Sequence, residues 1–201
     1  MKELIFILEI IGTIAFAISG AIVAFEEKMD IFGVVTLGMT TAVAGGIIRD
    51  LILGNTPPVA FVEPVYALVA IVTALICFLK PVRNNLENNK IIIRLLDSIG
   101  LGIFTVVGAT TAIDFCGDNT FLIVFTSILT GTGGGILRDI FAKRTPVIFV
   151  KHFYATASLC GGIFYYIIWK IIDINAATIL ASSLVVVLRQ LAAKYHWELP
   201  K

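Results

Sequence analysis

Apolar stretches of about 20 residues, enough for a helix to cross the hydrocarbon core of a bilayer, recur from one end of this sequence to the other. Seven can be read, at roughly 4–25, 31–49, 59–79, 95–113, 119–137, 147–169 and 174–191. The connections are short and polar, such as Glu26-Glu27-Lys28, Gly54 to Pro58, Pro81 to Lys90 and Lys143-Arg144-Thr145-Pro146. With 58% hydrophobic and 14% charged residues, the chain has too little polar surface to cover a water-soluble globule. The expected fold class is therefore all-α and integral to a membrane, a single transmembrane domain over residues 1–201.

Several function classes fall away at once. A net charge of +1 makes no electrostatic case for nucleic acid. Cys77, Cys116 and Cys160 are odd in number and far apart, with no metal or redox spacing, and read as small apolar packing residues. No Ser/His/Asp or Cys/His arrangement stands out, so neither an enzyme nor a cofactor or metal is expected. Ala15-Phe16-Ala17 is a passable signal-peptidase site, but the apolar run continues unbroken from Leu4 to Phe25 and has an internal match, so that segment is expected to stay. Gly131-Thr132-Gly133-Gly134-Gly135 has the look of a phosphate loop, yet no Lys-Ser/Thr follows and it lies inside an apolar span.

The internal match is a duplication. Ile11-Gly12, Phe16, Gly20-Ala21 and Ala24 recur as Ile99-Gly100, Phe104, Gly108-Ala109 and Ala112, with Glu9 and Asp97 each two positions ahead of the Ile-Gly pair. Gly45-Gly46-Ile47-Ile48-Arg49-Asp50 recurs as Gly134-Gly135-Ile136-Leu137-Arg138-Asp139, and each copy precedes a Thr-Pro, Thr56-Pro57 and Thr145-Pro146. Tyr66-Ala67 then matches Tyr154-Ala155. Repeat one spans about 4–79, repeat two about 95–169, and an extra helix follows at about 174–191. Because three is odd, the second unit must enter the bilayer from the opposite side. The expectation is seven transmembrane helices, as two inverted three-helix repeats plus one C-terminal helix.

Lys28, Lys80, Arg83, Lys90, Arg94, Arg138, Lys143, Arg144, Lys151, Arg189, Lys194 and Lys201 fall on one face of that topology, against Lys2, Arg49 and Lys170 on the other. The richer face should be cytoplasmic, which places the N-terminus outside and the C-terminus inside.

The glycine-rich ends of the second and fifth spans carry the clearest functional signal. Each glycine weakens a helix by about 1 kcal/mol relative to alanine and permits a kink or a break. The competing reading is close helix packing through small residues. Gly45 and Gly46, and Gly133, Gly134 and Gly135, are consecutive, and an Arg-Asp pair follows each set. Arg49-Asp50 and Arg138-Asp139 either line a pathway or anchor at the interface by ion pairing. An ionisable group drawn into the membrane is a functional candidate. Glu9 and Asp97 are possible charge partners for the two arginines, or carboxylates exposed to headgroups. Lys151-His152 has no charge counterpart in Glu63-Pro64 and suits a topology anchor.

The duplicated Gly-Gly-x-x-Arg-Asp ending and the three-plus-three-plus-one layout resemble the prokaryotic branch of the TRIC family, the trimeric intracellular cation channels. Its bacterial members are also grouped as predicted glycine-transporter-domain proteins. The resemblance covers essentially the whole chain. It implies a homotrimer in a bacterial or archaeal cytoplasmic membrane, in contact with membrane lipid. Each protomer would hold a pore for monovalent cations, K⁺ and Na⁺, lined by kinked helices 2 and 5. Carried onto this sequence, the kinks fall at Gly45-Gly46 and Gly133-Gly134-Gly135, beside Arg49, Asp50, Arg138 and Asp139. Ala44 stands where the second motif has Gly133, so helix 2 should kink less sharply. Two rival readings stand beside the channel: a secondary transporter of a small zwitterion such as glycine, suited by a central Arg-Asp pair, and a non-transporting scaffold.

Overall fold

The computed structural model describes residues 2–87, 89–150 and 153–197, and among them every regular element is a helix. Ten helices follow in order: α1 (Lys2–Glu26), α2 (Ile31–Leu53), α3 (Val59–Val62), α4 (Val65–Phe78), α5 (Lys80–Glu87), α6 (Lys90–Cys116), α7 (Thr120–Phe141), α8 (Val147–Val150), α9 (Tyr154–Ile168) and α10 (Ile174–Lys194). By length and composition α1, α2, α6, α7 and α10 are each able to cross a membrane. Five spans are thus plain, and a sixth if α4 and α5 are taken as one bent by 89°. Homologous side chains start the long helices. Asp30 caps α2 by accepting from the Gly33 amide at 2.8 Å, and Asn119 caps α7 by accepting from the Leu122 amide at 3.2 Å. Gly54, with φ of 74°, ends α2 in the left-handed region that glycine enters without strain.

The third apolar stretch of each repeat is not one helix. Residues 59–79 split into α3 and α4, because Pro64 disfavours helical backbone at Glu63. Glu63 sits at φ −112° and ψ 89°. Residues 147–169 split in the same way into α8 and α9; Lys151 and His152 lie between them, outside the described residues. Lys201, counted above for orientation, is outside them too. The helical core that remains is short: the 14 residues of α4 reach only about 21 Å at 1.5 Å per residue. The segment read as a polar connection from Pro81 is helix α5, set almost perpendicular to α4. Pro81 lacks an amide hydrogen and its ring would meet the carbonyl one turn back, which ends α4 and starts α5 at the position proline tolerates. Leu86 packs on the core cluster around Phe25 and Leu37, and the Arg83 guanidinium lies 4.6 Å from the centre of the Phe25 ring.

Packing follows the duplication read from the sequence. Helices α1, α2 and α4 pack on one another, as do α6, α7 and α9, and α10 lies against α6 and α9. The two groups meet through α2 on α7 and α1 on α6. Phe16 of α1 and Phe104 of α6 meet there with ring centres 5.3 Å apart. At the outer ends of α6 and α9, Lys170 bonds Asp118 at 2.5 Å, and its ammonium holds that exposed carboxyl below the usual carboxylate range.

Both glycine sets lie where α2 crosses α7. The helical backbone runs unbroken through them, so the chain break allowed from sequence does not occur. What the glycines provide is approach. A Cβ on Gly45 would collide with the Thr130 carbonyl, and one on Gly134 with the Thr41 carbonyl. Gly46 differs, since a Cβ there would come no nearer than 3.7 Å to its closest neighbour, Arg49. Gly134→Ala should therefore force α2 and α7 apart and cost about 1–3 kcal/mol, whereas Gly46→Ala should be close to neutral. Thermal unfolding in detergent followed by tryptophan fluorescence checks this, and equal midpoints for the two variants would contradict the packing assignment.

Candidate functional site

The Arg-Asp pairs end α2 and α7, and all four side chains are buried, Arg49 and Arg138 at 5% exposure each. The two ends share one construction. Arg49 Nε donates to Asp50 Oδ1 at 2.8 Å, while Asp50 Oδ2 accepts from the Val59 amide that opens α3, at 2.9 Å. Arg138 Nε donates to Asp139 Oδ1 at 2.9 Å, while Asp139 Oδ2 accepts from the Val147 amide that opens α8, at 2.8 Å. Each aspartate thus neutralises its neighbour with one oxygen and ties down the following short helix with the other. A buried guanidinium without such a partner would be strongly destabilising.

Beyond this clamp the ends differ. Arg138 Nη1 donates to Asp97 Oδ1 at 2.8 Å and to Ser19 Oγ at 2.6 Å, and Ser19 in turn donates to Asp97 at 3.3 Å. Arg189 of α10 approaches the other oxygen of Asp97 at 3.6 Å, and its guanidinium lies over the Tyr154 ring, 4.4 Å from the centre. The structure therefore brings Asp97 to Arg138. It does not bring Glu9 to Arg49 in the same way: Glu9 Oε2 accepts from the Tyr66 hydroxyl at 2.6 Å, and no direct ion pair with Arg49 forms.

Space opens at that point. Glu9, Thr13, Gly46, Arg49, Asp50 and Tyr66 line a cavity of about 40 Å³. Glu9 and Tyr66 are also part of the wall of a second one, about 290 Å³, to which Glu63, Thr110, Thr111 and Asp114 contribute. Glu63 and Asp114 are exposed, so the larger cavity has acidic groups at the surface. The Glu9–Tyr66 hydrogen bond lies where the two cavities share residues.

Ser19, Tyr66, Tyr154 and Arg189 were not singled out as site residues from sequence. Tyr66 and Tyr154 occupy matching positions of the duplication, a signal that could have found them. Arg189 sits outside the duplication, and Ser19 is one small polar residue in an apolar run, so neither had one.

The comparisons with known proteins agree with this architecture. One family model, described as "Glycine transporter", matches the chain twice, over residues 6–81 and 94–170. The UPF0126 inner membrane protein YadS of Escherichia coli is 34% identical over 98% of this chain and 95% of its own length. The UPF0126 membrane protein YvgT of Bacillus subtilis is 34% identical over 96% of this chain and 94% of its own. Among solved structures, a prokaryotic TRIC channel in 0.5 M KCl superposes with a TM-score of 0.89 at 36% identity, covering 99% of this chain and 100% of that one. The TRIC trimeric intracellular cation channel orthologue from Rhodobacter sphaeroides gives 0.87 at 30% identity, covering 96% and 98%. The fold is that of a TRIC channel, a multi-pass bacterial membrane protein, and the neighbours are channels and not enzymes. The chain belongs to this family, as a prokaryotic TRIC member.

The two kinds of ion pair predict unequal losses. Arg138→Leu strands Asp97 and Asp139 in the interior and should cost about 3–5 kcal/mol. Arg144, which bonds Glu26 and Glu27 at the surface, should cost under about 1 kcal/mol when changed to Gln. Unfolding midpoints in mixed micelles titrated with a denaturing detergent measure both.

Proposed function

We propose that the protein is a cation channel for K⁺ and Na⁺ with a pore in each protomer of a homotrimer. The pore runs between two inverted three-helix repeats, completed to seven spans by α10, and α2 and α7 line it. Gly45-Gly46 and Gly133-Gly134-Gly135 are the points at which these helices bend, and Arg49, Asp50, Arg138 and Asp139 flank the path. The N-terminus lies outside and the C-terminus in the cytoplasm.

The observation that carries this reading is a pair of cavities that share Glu9 and Tyr66 in their walls, one with acidic groups at the surface and one beside Arg49 and Gly46 of α2. Carboxylates at a mouth raise the local concentration of cations and exclude anions. Neutralisation of each arginine by its neighbouring aspartate supports it further, because an unmatched guanidinium would repel a passing cation. Structural likeness at 36% and 37% identity to proteins described as TRIC channels adds the class of activity. The Arg138–Asp97–Ser19 cluster fills the opposite end with direct bonds, as a closed conformation would. One face of α4 presents Leu68, Val72 and Leu75 outward, and one of α1 presents Ile7, Ile11 and Ile14; these suit lipid or a neighbouring subunit.

Planar-bilayer recording of the purified protein in asymmetric KCl tests the proposal. Unitary steps that reverse near the K⁺ potential are expected, with the reversal shifted toward zero when Glu63 and Asp114 are both changed to their amides. A silent bilayer together with saturable glycine uptake into proteoliposomes would replace the channel by a carrier.

A further inference from the structure

The helix that stands outside the duplication grips one end of it. α10 packs on α6 and α9, the counterparts of α1 and α4, and its last turns converge on the residues around Asp97. Arg189 is buried there, its guanidinium 3.6 Å from Asp97 Oδ2 and 4.4 Å from the centre of the Tyr154 ring. Gln190 Nε2 donates to Ser98 Oγ at 2.9 Å, next to Asp97 in the chain. Trp197, just past the end of α10, meets Phe153 edge-on with ring centres 5.2 Å apart. Phe153 has φ of 60°, a left-handed conformation that a bulky side chain keeps only where its neighbours hold it. It immediately precedes Tyr154, the first residue of α9, so both aromatic contacts of α10 fall on the break after α8.

The matching residues of repeat one show what these contacts prevent. Tyr66 donates to Glu9 at 2.6 Å, and a cavity opens beside Arg49. Tyr154 and Asp97, their counterparts, do not bond each other. The Tyr154 hydroxyl is buried without a hydrogen-bond partner among the described residues, while Asp97 is taken by Arg138 and Ser19. Asp97 is one methylene shorter than Glu9, and the Arg189 guanidinium reaches both the carboxylate and the tyrosine ring. A buried hydroxyl left without a partner is costly, so this arrangement has to be held in place from outside.

We propose that the end of α10 is a latch. Arg189 and Trp197 hold the Asp97 end in its filled form; when they withdraw, Tyr154 takes Asp97 as Tyr66 takes Glu9, and Asp97 lets go of Arg138. The proposal deepens the channel reading and rests on it, the filled form being the closed one. The two repeats thus display the two states of one switch, with α10 biasing the second. Arg138 is never left unpaired, because Asp139 stays bonded to its Nε. Arg189 has somewhere to go: it lies little more than one turn before Lys194 and the exposed Tyr195, within reach of the surface for a long stem.

Planar-bilayer recording and amide hydrogen exchange in micelles, both on the full chain, provide the test. Arg189→Gln should raise the open probability severalfold and Trp197→Ala by less. Tyr154→Phe should lower it, because the phenyl ring keeps the filled form intact and lacks the hydroxyl that the released form uses. Exchange at the α8–α9 junction should quicken in Arg189→Gln and slow in Tyr154→Phe, with the α3–α4 junction of repeat one unchanged. Wild-type open probability in Arg189→Gln overturns the latch, as does quickening spread evenly over both repeats, the mark of a general loss of stability. A Tyr154→Phe variant that opens like the wild type overturns the change of partners. A wild type that is silent in the bilayer yet shows the expected exchange pattern sinks the channel reading and leaves the latch as a conformational device. A conducting wild type whose exchange neither variant alters sinks the latch alone.

Discussion

An arginine at the end of an apolar helix can enter a membrane protein only with its charge matched, and this requirement organises both halves of the molecule. The sequence neighbour does the matching. Because Asp50 and Asp139 each use one oxygen for the guanidinium and the other for the first amide of the next helix, neutralisation and chain direction are coupled. Each helix ends within three residues of the pair, and α3 and α8 begin where the aspartate holds them. The third apolar stretch of each repeat thus opens on a short helix held by that aspartate.

On that shared frame the crossing of α2 and α7 sets how close the halves come. Glycine at Gly45 and Gly134 lets each backbone press on a threonine carbonyl of the other helix, a contact any side chain would prevent. The halves then diverge in chemistry. One end is filled by the bonded cluster of Arg138, Asp97 and Ser19 with Arg189 beside it. The other keeps Glu9 turned to Tyr66 and leaves space next to Arg49. A duplicated chain has become asymmetric through a few side chains and one added helix.

Much of this was legible beforehand. Hydropathy and the duplication showed the class, the helices and the matching positions, and the Gly-Gly-x-x-Arg-Asp motif carried the family. The pairing of Asp97 with Arg138 was among the options read from symmetry, and the same symmetry offered Glu9 to Arg49, where a tyrosine took the carboxylate instead. The split of residues 59–79 was signalled by Pro64, but apolarity outweighed it in the reading; the break at Pro81 was read, and only the helical character of the polar segment after it was not. The glycines were taken as points of weakness, with close helix packing as the competing reading. A helix supported on several sides tolerates them without breaking, and their close approach to a neighbour is visible only once the neighbour is placed.

By itself the sequence determined that the chain is a bundle of membrane-crossing helices, duplicated, with an arginine-aspartate pair closing the second helix of each unit. Those properties are local: apolar run length, residue spacing and the identity of adjacent side chains. Only the tertiary structure decided which carboxylate meets which guanidinium, that Arg189 reaches Asp97, and that a cavity stands beside Glu9. These depend on distances between residues as far apart as 119 positions, such as Ser19 and Arg138, which helix packing sets and no local pattern encodes.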